Sequence, residues 1–254
     1  MGTDRQGLSP EQITPYGGDA GKTDQVRRMF DHIAPAYDRL NRAMSFGLDR
    51  SWRARTVRMV AQTAPGHIVD IATGTGDFAI SLARAIPGAR VTGIDLSEGM
   101  VAIGNRKVEA CGLADRVALR TGDCLADPVE AASADAVTVA FGVRNFADLA
   151  AGYRSMLRML RPGGMLCVIE LSTPSSPLVK PFYNAYTRGI IPLMGRFVAG
   201  DTDAYTYLPR SIAAVPKGDA MLQLMRDAGF TDTRCRALTL GVCSIYTGIR
   251  PHTT

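Results

Sequence analysis

From His67 to Leu171, short apolar runs alternate with stretches whose apolar positions recur about every three to four residues, the pattern of strands alternating with helices. The runs predict strands at 67–72, 90–95, 115–121, 135–140 and 164–171. Helical spacing fills 77–86, 98–111 and 147–160, and Arg161-Pro162-Gly163-Gly164 stops the last of these. Such alternation makes an α/β fold with a doubly wound, mostly parallel sheet. Residues 1–22 show no apolar period and read as a mobile tail. From Thr23 the spacing turns helical: Val26, Met29, Phe30 and Ile33 share a face, and Pro35 forces a break. A second helix is expected over Tyr37–Met44 and a third from about Asp49 to Ala61. After Leu171 comes an irregular or helical insertion, then a helix near 218–228 stopped by Gly229. Two closing runs, 231–240 and 242–249, flank Gly241 and read as an antiparallel hairpin, giving a seven-stranded sheet. No linker forces a second domain, so 23–254 reads as one domain with a helical cap (23–64) and an insertion (172–215).

Composition narrows the classes. At 254 residues, 46% hydrophobic and 21% charged, the chain can bury an ordinary core. No stretch approaches the roughly 20 apolar residues of a membrane span and no signal pattern opens the chain, so the expected address is cytoplasmic. Five cysteines without C-x-x-C spacing and three isolated histidines offer neither a metal set nor a disulfide framework. The net charge of +5 is unevenly placed: eight arginines face three acids between Arg27 and Arg58. That patch suits an anionic membrane or nucleic acid, or it is a set of solvated helix faces.

The first strand runs into IVDIATGTGD (Ile68–Asp77), a glycine-broken turn that lets backbone approach a ligand. Gly74, Gly76 and Ala79 satisfy the relaxed G-x-G-x-x-G/A dinucleotide pattern, and Asp95 lies 19 residues past Gly76, near the spacing of a ribose-binding acid. By its glycines the turn is open to NAD. Asp77 weighs against a diphosphate, because it would set like charges together at the helix N-terminus. A kinase-type phosphate loop lacks its closing Lys-Ser/Thr. S-adenosylmethionine has no phosphate and carries a sulfonium, so acids become assets. Asp70 and Asp77 can face its positive end, Asp95 can accept the ribose hydroxyls, and Asp123 can reach the adenine amino group. Helix caps and turn formers explain each acid singly, but explain four at successive strand ends poorly.

The ordered set IVDIATGTGD, GIDLS (93–97), TGDC (121–124), FGVRN (141–145) and LRPGG (160–164) resembles the class I S-adenosylmethionine-dependent methyltransferases. YDRLNRAMSFGLDRSWR (37–53), FGVRN and DTDAYTYLPRSI (201–212) narrow the resemblance to the quinone C-methyltransferases, which include demethylmenaquinone methyltransferase and the ubiquinone-pathway benzoquinol methylase. The likeness runs from about Gln25 to Gly248. It implies a Rossmann-like fold, S-adenosylmethionine as cofactor, and a polyprenylated hydroquinone methylated at a ring carbon. It places Gly74, Thr75 and Gly76 at the cofactor turn, Asp95 at the ribose, and Asp123 with Cys124 beside the adenine. Ala140 falls at a cofactor contact that is serine in some relatives, where alanine leaves only backbone. Ala72 departs from the generic D-x-G-x-G-x-G by replacing its first glycine.

Carbon methylation needs an electron-rich ring, which loss of a phenolic proton supplies. Arg144 and Asn145 follow the fourth strand, at the crevice where ligands of such sheets bind. Arg144 is expected to stabilise the phenolate or relay its proton, and Asn145 to orient the ring; a structural salt bridge is the other reading of Arg144. Tyr37, Asp38, Tyr205 and Tyr207 are further candidates to close over the ring. A polyprenyl tail holds the acceptor in the bilayer, so a transient, peripheral association with the inner face of the cell membrane is expected. Residues 27–58 and Lys180–Arg196, with Phe182, Tyr186, Ile190, Ile191, Leu193 and Met194, form a docking surface or an ordinary cap. A homodimer is possible. A nucleic-acid acceptor is disfavoured, because N/D-P-P-Y/F is missing after the fourth strand and no Pro-Cys nucleophile is found. Asp70, Asp95, Asp123 and Arg144 argue against a binding subunit without turnover. Nothing before Gln25 resembles a mitochondrial presequence, which leans the acceptor to demethylmenaquinol over a methoxybenzoquinol.

Overall fold

The computed structural model of the chain describes residues 9–126, 128–174, 176–190 and 202–252. Residues 1–8 of the tail, and Ile191, Leu193 and Met194, lie outside them, as do the side chains of Ile190 and Tyr205.

Seven strands form one sheet: β1 (His67–Ile71), β2 (Arg90–Asp95), β3 (Val117–Thr121), β4 (Ala134–Ala140), β5 (Leu160–Leu171), β6 (Thr231–Leu238) and β7 (Cys243–Ile249). Their order is β3-β2-β1-β4-β5-β7-β6. The first five run parallel, and β7 is antiparallel to both its neighbours. A parallel sheet covered on both faces needs strands apolar throughout, which is why the run before the glycine turn is almost wholly buried. On one face pack α3 (Leu48–Ala61), α4 (Asp77–Ala85) and α5 (Glu98–Ala110). On the other lie α6 (Leu149–Met159) and a helix at Asp219–Asp227.

A third apolar cluster joins α1 (Lys22–Ile33), α2 (Tyr37–Met44) and the helix Thr202–Ala214 through Val26, Met29, Leu40 and Tyr207. This cap covers the C-terminal ends of the strands.

Two expectations change. β5 begins at Leu160, because Leu160 pairs with Ala134 across a bulge and the LRPGG run enters the sheet instead of ending a helix in a loop. Residues 9–21, read as mobile tail, lie against the cap. Pro10 and Ile13 are buried, Tyr16 N–H donates to Gln25 Oε1 at 2.9 Å, and the buried Lys22 ammonium reaches the Pro10 carbonyl at 2.6 Å. Isolated apolar residues such as Ile13 carry no period, so pattern alone could not place them.

Candidate active site

The strand order reverses between β1 and β4, and there the C-terminal ends open a crevice. It holds two adjoining spaces, with Tyr37 and Phe141 in the walls of both. The first is a slot bounded by Ala72, Gly74, Asp95, Asp123, Cys124 and Ala140, roofed by Val26 and Phe30 of α1. The second is a cavity of about 410 Å3 walled by Trp52, Phe141, Arg53, Arg144, Tyr183 and Tyr186.

In the slot, the Gly74 N–H donates to Asp95 Oδ2 at 2.8 Å and the Ser97 N–H to Oδ1 at 2.9 Å. Each oxygen keeps further acceptor capacity for a ligand hydroxyl. Burial pushes this carboxyl up to about 6, although the backbone donors oppose the shift. Asp123 accepts the Leu125 N–H at 2.9 Å. Ala72 and Phe141, at the ends of the adjacent β1 and β4, hold left-handed backbone with φ of 53° and 62°. Gly142 packs on that corner: a Cβ there would stand 2.5 Å from the Ala72 Cβ. Ala72 thus keeps the conformation that a glycine would adopt more easily.

Four residues of the turn do not reach the slot. Asp70, expected to face the ligand, is fully buried beneath it and accepts the Thr73 and Thr138 hydroxyls, each at 2.6 Å. Burial lifts its carboxyl to about 6, and its work is to tie β1, β4 and the turn together. Thr75 donates to Asp38 Oδ1 at 2.6 Å. The Lys107 ammonium bonds Asp38 at 2.9 Å, Thr75 at 3.2 Å, and Asp77. This knot fastens α2 to α4 and α5, so Asp38 does not close over a ring. It also neutralises Asp77, which removes that residue's case against a diphosphate. Gly76 holds a left-handed φ of 76° that strains any side chain, and a Cβ there would also push Leu119 Cδ1, 2.8 Å away, aside.

Arg144 is buried in the cavity wall. Its Nη1 donates to Glu170 Oε1 at 2.7 Å and to the Phe141 carbonyl, and its own carbonyl accepts the Lys22 ammonium at 3.1 Å. It is both a salt-bridge partner and part of the cavity, and its Nε is buried without a partner. Asn145 faces the slot, not the 410 Å3 cavity, and its Oδ1 accepts the Tyr207 hydroxyl at 3.0 Å. Tyr207 is buried as a brace for Asn145 and is absent from the cavity wall. Burial raises the Tyr37 phenol above its ordinary value despite the nearby Arg144, which keeps it an O–H donor.

The ubiE/COQ5 methyltransferase family description matches residues 19–250. This chain belongs to that family. The demethylmenaquinone methyltransferase of Porphyromonas gingivalis is 46% identical over 243 residues, covering 95% of this chain and 99% of the relative. That of Thermus thermophilus is 44% identical over 223 residues, covering 88% and 100%. The ubiquinone/menaquinone biosynthesis C-methyltransferase of Geobacter sulfurreducens is 42% identical over 228 residues, with 89% of each chain covered. Among solved structures, a Thermotoga maritima S-adenosylmethionine-dependent methyltransferase superposes with a TM-score of 0.61 at 17% identity, over 89% of this chain and 99% of that one. The cyclase SpnF superposes at 0.65 with 19% identity, over 94% and 100%. A cyclase on the same fold shows that the reaction is decided by the site and not by the architecture.

Within this methyltransferase, Arg53 was legible in the sequence only as part of a basic patch and as the end of the 37–53 motif, with no place in the site. Arg53 Nη1 pairs with the buried Asp49 at 2.8 Å, its guanidinium stands 5.5 Å from the Phe141 ring centroid, and its Nε is buried without a partner in the same cavity wall as Arg144. One signal was available: Asp49, Trp52 and Arg53 share one face of a helix, so the pair turns inward with the tryptophan.

Proposed function

We propose that this methyltransferase transfers a methyl group from S-adenosylmethionine to a ring carbon of demethylmenaquinol. The observation that carries the reading is the pair of guanidinium groups, Arg53 and Arg144, in the wall of an apolar cavity that meets the Asp95 slot at Tyr37 and Phe141. The slot fits the cofactor: Asp95 offers charged acceptors for two ribose hydroxyls, Asp123 one for an adenine amino group, and the left-handed corner at Ala72 and Phe141 leaves backbone open. Bound there, the cofactor supplies an electrophilic methyl group on a sulfonium.

The chain's residues then set the acceptor. Trp52 and Phe141, with centroids 6.2 Å apart and planes tilted by 59°, give the cavity one continuous aromatic wall for a planar ring to lie against, and their apolar surroundings exclude water. Guanidinium groups only donate, so Arg53 and Arg144 call for a ligand that presents lone pairs, as the two oxygens of a hydroquinone do. As a phenolic proton leaves, the two guanidinium charges in the cavity wall stabilise the developing negative charge in an apolar site, where such interactions are strongest. Tyr37 and Phe141, shared by both spaces, hold ring and donor in line, and positioning supplies most of the acceleration. Asn145, fixed by Tyr207, orients groups on the cofactor side.

The Porphyromonas and Thermus relatives carry the demethylmenaquinone name, which favours the naphthoquinol ring over the benzoquinol. The acceptor's tail places the work at a membrane surface. No helix among the described residues is long and apolar enough to cross a membrane, so the association proposed is peripheral. Labelled methyl transfer to short-chain forms of the two hydroquinones, run in parallel, tests the reading. Label is expected in the naphthoquinol; label in neither ring, or only in the benzoquinol, refutes it.

A further inference from the structure

The large apolar side chains left exposed among the described residues gather at one opening. Phe46, Leu48 and Phe182 line the 410 Å3 cavity, Leu178 adjoins Val179 of its wall, and Leu240 lies between the wall residues Thr239 and Val242. These five are 40% to 80% exposed and come from three separate segments. The segments are tied to each other: the Phe46 and Tyr186 rings are 5.4 Å apart, and Trp52 Nε1 donates to Thr239 Oγ1 at 2.8 Å. Thr239 and Leu240 both hold positive φ, 46° and 55°, a backbone conformation that non-glycine residues adopt at an energetic cost and that here keeps Leu240 74% exposed. Exposed apolar clusters of this kind mark docking sites.

Charge points to the occupant. Arg39, Arg42, Arg50 and Lys180 are exposed in the same segments, whereas Asp49, the one acid within 39–50, 172–187 and 238–242, is buried against Arg53. We infer that this rim docks the protein on an anionic lipid bilayer: its five apolar side chains enter the interfacial layer, its cations meet lipid phosphates, and the cavity mouth faces the acyl region. The docking face is therefore the cavity rim and not the whole arginine-rich stretch 27–58, whose Arg53 points inward and whose Arg27 pairs with Asp24 at 3.4 Å. The inference rests on the proposed acceptor only for its sense, that a prenyl tail need not leave the membrane.

The test is flotation of the full chain with large vesicles of phosphatidylcholine containing about one third phosphatidylglycerol. The unaltered chain is expected to float, and Leu178→Ser/Leu240→Ser to partition at least tenfold less while methylating a water-soluble short-chain hydroquinone at the unaltered rate. Arg42→Ala/Lys180→Ala should lose binding to these vesicles but not change what little binds pure phosphatidylcholine. Equal partition of the leucine variant and the unaltered chain overturns the inference, as does an unaltered chain that does not float. A dimer in solution that the leucine variant dissociates, with no change in flotation, assigns the rim to a second copy instead. The acceptor reading fails separately, through absent methyl transfer to soluble hydroquinones by a chain that still floats.

Discussion

Arg144 and Glu170 form an ion pair buried on both sides, with Nη1 2.7 Å from Oε1. Glu170 stands on β5, so the pair clamps the turn after β4 onto the neighbouring strand while the guanidinium stays part of the cavity wall. Removing one partner of a buried pair strands the other at about 3–5 kcal/mol, which would mix stability with catalysis in Arg144→Ala. Arg144→Lys keeps the charge and loses the fork. That variant is expected to fold, to bind cofactor with unchanged affinity by calorimetry, and to turn over at least tenfold more slowly. A folded lysine variant with unaltered turnover removes Arg144 from the acceptor chemistry.

Arg53 is predicted to act on the acceptor and not the cofactor. Because Asp49 would be left buried and unpaired, the informative variant is Asp49→Asn/Arg53→Met. One charged hydrogen bond is worth about 1.5–3 kcal/mol, so kcat/KM for the hydroquinone should fall at least tenfold. The cofactor dissociation constant should stay within about twofold, and steady-state kinetics beside calorimetry measures both.

Asp95, proposed to hold the ribose, is predicted to make cofactor binding depend on pH. Its carboxyl is held near 6 by burial, and hydroxyl donors of a bound ligand favour the ionised form. Affinity is therefore level above about pH 6 and weakens as pH falls through that value, by up to tenfold per unit. Titrations from pH 5 to 8 should show the break, and Asp95→Asn should bind weakly and flatten it. A break that persists in the asparagine variant assigns it to another group.

Gly142→Ala is expected to damage the slot. The added Cβ would meet the Ala72 Cβ at 2.5 Å and Val139 Cγ1 at 3.0 Å, both in the strained corner between β1 and β4. Overpacking of this kind typically costs about 1–3 kcal/mol, so thermal unfolding should move down and cofactor affinity should drop with it. An alanine variant that melts and binds as the parent does would show that the corner can give.

Most elements were legible because their signals are local. A buried run such as that of β1, the spacing of Val26, Met29 and Ile33, and the glycine stops need no partner to be recognised. What failed was direction. Asp70 and Asp95 both close strands, yet one points beneath the turn to two threonines and the other faces the slot. Asp77 looked like a free charge until Lys107, 30 positions away, met it.

The sequence by itself determined the α/β architecture, the glycine-rich turn and the family, since these rest on residue type and spacing along the chain. Only the tertiary structure decided which acids line the slot, that Arg53 joins Arg144 in one cavity wall, and that scattered exposed leucines and phenylalanines form one rim. Charges are neutralised and donors orphaned by neighbours distant in the chain, and burial is set by the whole packed fold.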